Sequence, residues 1–314
     1  MTTAFYSHSE CKGHEMGQWH PECPERLDAI ADHLLATGLD ALLEPRDAPV
    51  VDLADVQLAH TAGYVRHIAD LLGTLAAGSG ERHAFDPDTS ACAGTWAAML
   101  RAAGAAVAAT DAVIDGDVDN AFCAVRPPGH HATRDEAMGF CFFNNVAVAA
   151  RHALDRRGLQ RVAIVDFDVH HGNGTEDIVA GDDRILMCSF FQHPLYPHSG
   201  AVPKGTNMVN VPVPAYTKGM EVRELIEAMW MPRLEAFKPE MVFVSAGFDA
   251  HRDDELGQMG LVEADYAWIT WKLVDLAKRH AKGRIVSCLE GGYNLQALAR
   301  SVAAHLRVLA GVDG

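Results

Sequence analysis

Residues 162–175 read Val-Ala-Ile-Val-Asp-Phe-Asp-Val-His-His-Gly-Asn-Gly-Thr, an apolar run of strand length that leads into a polar motif. Its first four residues are apolar, which is typical of a buried strand, and polar residues follow at once. Because side chains alternate faces along an extended chain, Asp166, Asp168 and His170 are predicted to point the same way. Two carboxylates and an imidazole on one face can share a cation, although both carboxylates could instead cap a following helix.

Apolar runs of strand length alternate with longer helical patterns on both sides of this stretch. Strands are predicted at Ala121–Val125, Arg161–Phe167, Arg184–Phe191, Glu240–Ala246 and Arg284–Leu289. Helices are predicted at Cys92–Ile114, Asn144–Arg156, Gly219–Phe237, Glu263–Ala281 and Leu295–Ala310. In the less regular first ninety residues, Ala29–Thr37 and Ala62–Leu75 are predicted as helices and Glu44–Pro49 as a connector. The alternation predicts an α/β fold with a mostly parallel sheet and helices on both faces.

Three other predicted strands also run directly into polar motifs. These are Arg126-Pro-Pro-Gly-His-His131, Ala246-Gly-Phe-Asp-Ala-His251 and Glu290-Gly-Gly-Tyr-Asn294. Ligands of open α/β sheets bind in the crevice beyond the carboxyl ends of the strands. We therefore expect four motifs from distant parts of the sequence to converge on one site.

Asp249 offers a third strong metal ligand in addition to Asp168 and His170. Asp168, His170 and Asp249 would leave an open position for water and substrate, as catalytic zinc sites do. One imidazole with two carboxylates also suits Fe²⁺ or another divalent ion, so the preference for zinc is slight.

The tandem histidines and a tyrosine complete the predicted chemistry. A lone histidine pair in a loop is usually solvated, but Pro127 and Pro128 restrict the backbone before His130 and His131. Two adjacent imidazoles beside a dication can act as general base and general acid when other groups orient them. Tyr293, placed after two glycines, could stabilise an oxyanion through its hydroxyl.

Composition excludes several classes of function. The 314 residues include 26 Lys+Arg and 42 Asp+Glu, a formal net charge of −16, which argues against binding nucleic acid. The first ten residues lack a basic segment and an apolar segment, and Arg101 and Asp111 interrupt the most apolar region, so we expect a cytoplasmic protein without a membrane segment. The seven scattered cysteines are expected to be reduced thiols. The run Asp253-Asp254-Glu255 is interpreted as a solvated loop.

The motifs Arg126–Ala132, Asp166–Thr175, Ser245–Asp249 and Leu289–Asn294 together resemble the zinc-dependent histone deacetylase superfamily, which includes bacterial deacetylase-like amidohydrolases and acetylpolyamine amidohydrolases. The resemblance is closest to the class II members and runs from His20 to about Leu309. It implies one arginase/deacetylase-fold domain over residues 1–314, with a central, largely parallel eight-stranded sheet between helices. It also implies hydrolysis of an acetyl amide on a primary amine.

The resemblance assigns roles to residues at matching positions. Asp168, His170 and Asp249 would bind zinc, His131 would be the general base, and Tyr293 would stabilise the oxyanion. His130, oriented by Asp166, would be the electrostatic partner of His131, and Asn173 would orient His131 in the class II manner. Further roles are implied for the walls of the substrate channel (Gly139, Phe140, Tyr196 and Leu256), for a structural potassium ion (Asp166, Asp168, the carbonyl of His170, Ser189 and Phe190) and for the path of product release (Arg26).

Several alternatives remain open from the sequence. The polyamine-specific branch has a glutamate where this chain has Leu256, which favours acetyl-lysine or another acylated amine, although Glu255 is adjacent. The same chemistry would serve an acetylpolyamine amidohydrolase or another small-molecule amide or ester hydrolase. A non-catalytic acetyl-lysine reader is disfavoured by the intact Tyr293 and His131, and a two-manganese site like that of arginase by Asn173. The resemblance also allows a homo-oligomer.

Overall fold

The computed structural model describes residues 1–313. Its centre is a sheet of eight parallel strands, and a two-stranded antiparallel hairpin lies outside it. In chain order the strands are β1 (Thr3–Ser7), β2 (Leu43–Asp47), the hairpin strands β3 (His83–Ala84) and β4 (Ser90–Ala91), β5 (Asn120–Cys123), β6 (Val162–Asp166), β7 (Ile185–Gln192), β8 (Met208–Val213), β9 (Met241–Ala246) and β10 (Ile285–Leu289). The order across the sheet is β2-β1-β5-β10-β9-β6-β7-β8.

Helices cover both faces of the sheet. The α-helices are α1 (Glu25–Thr37), α2 (Leu53–Val56), α3 (Ala62–Leu72), α4 (Thr95–Asp115), α5 (Asn145–Asp155), α6 (Asn173–Val179), α7 (Gly219–Leu225), α8 (Met231–Phe237), α9 (Glu263–His280) and α10 (Leu295–Leu309). Short 3₁₀ helices occupy Ser9–Gly13 and Asp40–Leu42. One layer is built around α4 and α5, and the other around α1, α9 and α10. The α/β class and the mostly parallel sheet are confirmed.

The five strands predicted from the sequence are the contiguous inner strands β5, β10, β9, β6 and β7. Every residue of these strands is buried, so they appear in the sequence as continuous apolar runs. The prediction missed β1, β2 and β8 on the flanks. The connector predicted at Glu44–Pro49 is wrong: Leu43–Asp47 is the edge strand β2, and its charged residues interrupt the apolar run that would reveal a strand. Proline has no N–H to donate, and an edge strand tolerates Pro45 because it has a neighbouring strand on one side only.

The single helix predicted at Gly219–Phe237 is continuous but not uniform. A π-helical segment, Ile226–Trp230, separates α7 from α8. Pro232 follows directly and has no N–H to donate to the carbonyl of Ala228, which accounts for the wider turn before it. The other predicted helices are present with ends shifted by a few residues.

Helix α4 is, by length and composition, apolar enough to cross a membrane. However, 61% of its most apolar window is buried inside the protein, and a buried core helix passes the same test. Its many alanines let it pack closely on α5 and on the sheet, and Gly104 lets the backbone at Pro49 approach it.

The order of the strands determines where the site lies. The strands β5, β10, β9 and β6 are neighbours and run parallel, so their carboxyl ends meet at one edge of the sheet. The four polar motifs begin at these four ends, which confirms that they converge.

Candidate active site

Asp168, His170 and Asp249 form one compact group at the ends of β6 and β9. Their potential ligand atoms all lie within 4.8 Å of one another. His170 Nδ1 lies 3.1 Å from both Asp168 Oδ1 and Asp249 Oδ2. Because β6 ends at Asp166, Asp168 and His170 belong to the following loop, so the loop rather than strand alternation brings their side chains together.

A positive charge would stabilise the two buried carboxylates of this group. Burial and the nearby Asp168 raise the pKa of Asp249 to about 7. Burial lowers the pKa of His170, but hydrogen bonds to Asp168 and Asp249 outweigh it and raise the pKa to about 10. Two buried carboxylates this close repel each other unless a proton or a metal ion lies between them. The donor set of two oxygens and one nitrogen therefore fits a divalent cation, without selecting one.

Backbone groups hold the two carboxylates in place. Asp168 Oδ2 accepts from the N–H of Gly291 at 2.9 Å, and Asp249 Oδ1 accepts from the N–H of Val169 at 2.9 Å. A Cβ atom at Gly247 would lie 2.0 Å from Asp168 Oδ2, so only glycine allows this close approach. Such outer contacts fix the orientation of metal ligands.

Of the residues assigned to potassium, Asp166 and Ser189 lie side by side. They are partners across β6 and β7, and both are buried. The Ser189 hydroxyl has no hydrogen-bond partner, which fits a ligand for a cation. The Phe190 ring is stacked on Trp230 in the core, with centroids 5.7 Å apart, so only its backbone is free to take part.

The tandem histidines are neighbours with opposite electrostatics. Their ring centroids are 4.0 Å apart. Burial lowers the pKa of His130, but Asp168 and Asp166 outweigh it and raise the pKa well above the usual value. Burial and the charge of His130 lower the pKa of His131 well below its usual value. Adjacent groups whose pKa values are driven apart are typical of an acid and base pair.

Hydrogen bonds determine which nitrogen of each ring carries a proton. His130 Nδ1 lies 3.0 Å from Asp166 Oδ2, and His131 Nδ1 lies 2.7 Å from Asn173 Oδ1. A carboxylate or amide oxygen only accepts, so both Nδ1 atoms donate. In neutral His131 this leaves Nε2 without a proton and able to accept one.

A cavity of about 510 Å³ opens above these groups. The channel residues Gly139, Phe140, Tyr196 and Leu256 all line it, together with Asp86, Pro87, Asp88, His131, Glu136, Met138, His170, Leu195 and Tyr293. Its lining is mostly apolar, and every charged lining side chain other than the histidines is a carboxylate. Gly139 has a φ of +56°, and a Cβ there would lie 2.5 Å from His131 Cδ2, so glycine is required beside His131.

Tyr293 lines the cavity, whereas Arg26 does not. Burial and Asp249 raise the pKa of Tyr293 well above its usual value, so its hydroxyl stays protonated and able to donate. The Arg26 guanidinium lies 5.0 Å from the centroid of the Tyr293 ring, and its Nε donates to the carbonyl of Gly292 at 2.7 Å. The structure thus places Arg26 against the segment that carries Tyr293.

Behind Arg26 lies a fully buried ion cluster. Glu22 is paired with Arg26 at 3.2 Å and forms two hydrogen bonds with Arg126. Although burial would raise the pKa of Glu22, Arg126 outweighs it and lowers the pKa to about 2. The hydrogen bonds between Glu22 and Arg126 join the segment before α1 to the loop before the tandem histidines.

Two buried carboxylates of the site received no role from the sequence. Glu290 Oε2 accepts from the N–H groups of Gly129 at 2.7 Å and His130 at 3.1 Å, which fixes the histidine loop. Its position directly after the wholly buried strand β10 was the signal for it in the sequence. The interpretation of Asp254 as part of a solvated loop is wrong, because it is only 7% exposed and accepts from three backbone N–H groups.

Comparisons with known proteins agree with this geometry. The family described as "Histone deacetylase domain" matches residues 20–309. The probable deacetylase of Archaeoglobus fulgidus is 36% identical over 325 residues, covering 100% of this chain and 88% of its own. The polyamine deacetylase HDAC10 of Mus musculus is 39% identical over 311 residues, covering 92% of this chain and 45% of its own. The solved HD domain of HDA15 has a TM-score of 0.92 at 34% identity, covering 99% of this chain and 88% of that one, which confirms the arginase/deacetylase fold.

Proposed function

The chain belongs to the histone deacetylase family, and we propose that it is a metal-dependent deacetylase that hydrolyses the acetyl amide of N-acetyl-lysine or a related acylated primary amine. One observation carries the proposal. His130 and His131, with pKa values shifted in opposite directions, lie beside a compact group of metal ligands at the base of a cavity.

Asp168, His170 and Asp249 would hold the divalent ion, which is zinc by resemblance to the family, although Fe²⁺ suits the same donors. Such an ion supplies Lewis acidity, which polarises the amide carbonyl and makes water a better nucleophile. A structural potassium ion would lie nearby, with Asp166 and the unpartnered hydroxyl of Ser189 among its ligands.

His131 would move the proton of the reaction. Its Nε2 accepts a proton from the attacking water, whose oxygen bonds to the acyl carbon. The same proton then passes to the amine nitrogen as the C–N bond breaks, which gives acetic acid and a free amine; the second proton of the water stays on the acid and moves to the amine when the two products ionise as acetate and ammonium. His130 stays protonated beside Asp166 and acts by its charge. Asn173 orients His131, and an amide raises the pKa of an imidazole less than a carboxylate would.

Tyr293 would stabilise the charge that develops on the carbonyl oxygen. Its hydroxyl remains a donor because burial and Asp249 raise its pKa. A preorganised donor of this kind is typically worth about 10²–10³ in rate.

The cavity supports a chain-like substrate. Phe140 and Tyr196 present aromatic surface to an alkyl chain, and Leu256 adds an apolar contact. This lining favours acetyl-lysine over a substrate with a second amine inside the channel.

An acetylpolyamine is the second candidate substrate, and the acidic residues that line the cavity favour it. Asp86, Asp88 and Glu136 line the cavity without a lysine or arginine among them, so cationic substrates are attracted. The similarity to a polyamine deacetylase supports the same candidate.

The experiment compares turnover of acetyl-lysine peptides, N-acetylputrescine and acetylspermidine by the purified protein, with bound metal quantified. We expect hydrolysis with one catalytic metal per chain and higher kcat/KM for acetyl-lysine. A preference for acetylpolyamines above about tenfold, or ~1.4 kcal/mol in transition-state free energy, would establish the second candidate. Two metals per chain, both required, would contradict the one-metal mechanism.

A further inference from the structure

Asp254 lies in the loop after β9, five positions beyond Asp249, and is only 7% exposed. Its Oδ2 accepts from the backbone N–H of Tyr293 at 2.6 Å and of Asn294 at 3.0 Å. Its Oδ1 accepts from the backbone N–H of Leu256 at 3.0 Å. One buried carboxylate thus joins the loop that carries Leu256 to the segment that carries Tyr293.

Arg26 and Asp254 hold the two ends of the peptide unit between Gly292 and Tyr293, and we call this arrangement the clamp. The carbonyl of Gly292 and the N–H of Tyr293 belong to the same planar peptide group. Arg26 donates to that carbonyl, and Asp254 accepts from that N–H. Because both ends of the plane are held, the direction in which Tyr293 leaves the backbone is fixed.

Helix capping does not account for Asp254. Asn294 is the N-cap of α10, and its own side chain accepts from the N–H of Ala297 at 3.0 Å. The bond from Leu256 to Asp254 is a local turn contact, two residues along the chain. The two bonds from the Tyr293 segment span 39 and 40 residues, and they are the contacts that tie separate parts of the site together.

We propose that Asp254 is a positioning residue that locks the Leu256 wall of the channel to the Tyr293 segment, so that the substrate wall and the oxyanion donor hold one fixed geometry. The inference rests on the proposed function for its effect on catalysis. The clamp itself is a property of the folded chain and can be measured without turnover.

The first test is a double-mutant cycle on kcat. Misplacing a reacting group by about 1 Å can cost about 10²-fold in rate, so Asp254→Ala is expected to lower kcat by about that factor while KM changes little. In a Tyr293→Phe background, Asp254→Ala should add almost nothing, because the group that it positions is already absent. Multiplicative effects of the two substitutions would overturn the inference.

Two further variants serve as controls for the double-mutant cycle. Asp254→Asn keeps one acceptor oxygen for the Tyr293 segment, so it should fold and retain more of kcat than Asp254→Ala does. Asp253→Asn is the matched control, since the neighbouring carboxylate is 45% exposed and lies 3.5 Å from Arg300, and it should leave kcat unchanged. An effect of Asp253→Asn equal to that of Asp254→Asn would contradict a specific role.

The second test is amide hydrogen exchange, which needs no activity. In Asp254→Ala, the N–H groups of Leu256, Tyr293 and Asn294 should exchange faster, while those of β9 and β10 stay protected, and Asp254→Asn should show a smaller increase at Tyr293 and Asn294. Unchanged exchange at Tyr293 and Asn294 would overturn the inference. If the wild-type protein hydrolyses no acetyl amide, the proposed function fails, and exchange still decides whether the clamp exists.

Discussion

The floor and the mouth of the site are built in different ways. The floor consists of His130, His131, Asp168, His170 and Asp249, which lie beyond the carboxyl ends of the inner parallel strands β5, β6 and β9 and are held by hydrogen bonds. The mouth consists of side chains from loops, among them the exposed Asp88 and Glu136, and Leu256. The floor is therefore positioned by short segments next to the buried strands, whereas the mouth depends on loops that lie farther from the sheet. Changes in the floor should therefore alter turnover of all substrates, and changes in the mouth should alter their ranking.

Removal of a metal ligand from the floor should have the largest effect. Asp249→Asn keeps the size of the side chain and an acceptor for the N–H of Val169, but it removes the charge. Since partners of metal ligands alone are worth about 10–100-fold in affinity, loss of a direct ligand should weaken metal binding by more than about 100-fold. Metal content after dialysis and turnover should fall together. Full metal occupancy in this variant would show that the metal lies elsewhere.

Removal of the phenol hydroxyl in Tyr293→Phe should be next in size. We expect kcat to fall by about 10²–10³ with little change in KM or metal content, because the donor acts on charge that develops in the transition state. Tyr216→Phe is the matched control, since Tyr216 is 73% exposed and away from the cavity lining. Equal rates for wild type and Tyr293→Phe would remove Tyr293 from the mechanism.

The ion cluster behind the floor should make stability depend on pH. Arg126 lowers the pKa of buried Glu22 from 4.5 to about 2, so its contribution is present above pH 4.5 and is lost as the pH falls towards 2. A shift of this size corresponds to about 3 kcal/mol in the free energy of unfolding. Denaturant unfolding should show a stability gap between wild type and Glu22→Gln that is largest near pH 7 and shrinks below pH 4.5. A gap that stays constant with pH would contradict the assignment.

A substitution at the mouth should have the smallest effect, and it should alter the order of preference among substrates rather than abolish turnover. Leu256→Glu should shift the kcat/KM ratio towards acetylpolyamines by about tenfold, because a carboxylate attracts a second amine. Glu255→Leu is the companion variant, since this carboxylate is adjacent in sequence but outside the cavity lining. If Glu255→Leu shifts the ratio and Leu256→Glu does not, the selecting position is Glu255.

The same division explains what the sequence could predict. Inner strands bury both faces, so their apolar runs and the polar residues at their ends are visible in the sequence. The edge strand β2, with Pro45 and Asp47 exposed and Glu44 and Arg46 only half-buried, has no such run. The burial of Asp254 could not be predicted for a similar reason. Asp254 lies between two other acidic residues, and its hydrogen-bond partners Tyr293 and Asn294 are 39 and 40 residues away.

Loop-borne contacts were predictable only through the family resemblance. The positions of Phe140, Tyr196 and Leu256 in one cavity follow from that resemblance, because no periodicity relates loops that are distant in sequence. The supporting bonds from Glu290 to the histidine loop and from Arg26 to Gly292 depend on three-dimensional proximity and carried no pattern.

The central claim is that the floor performs amide hydrolysis with His131 as the base. The most direct measurement is acetate release from an acetyl-lysine peptide by wild type and His131→Ala, both loaded with the same metal and compared at equal occupancy. We expect repeated turnover by the wild type and a kcat lower by about 10²–10⁴ in the variant. Equal acetate release by the two proteins, or none by the wild type, would contradict it.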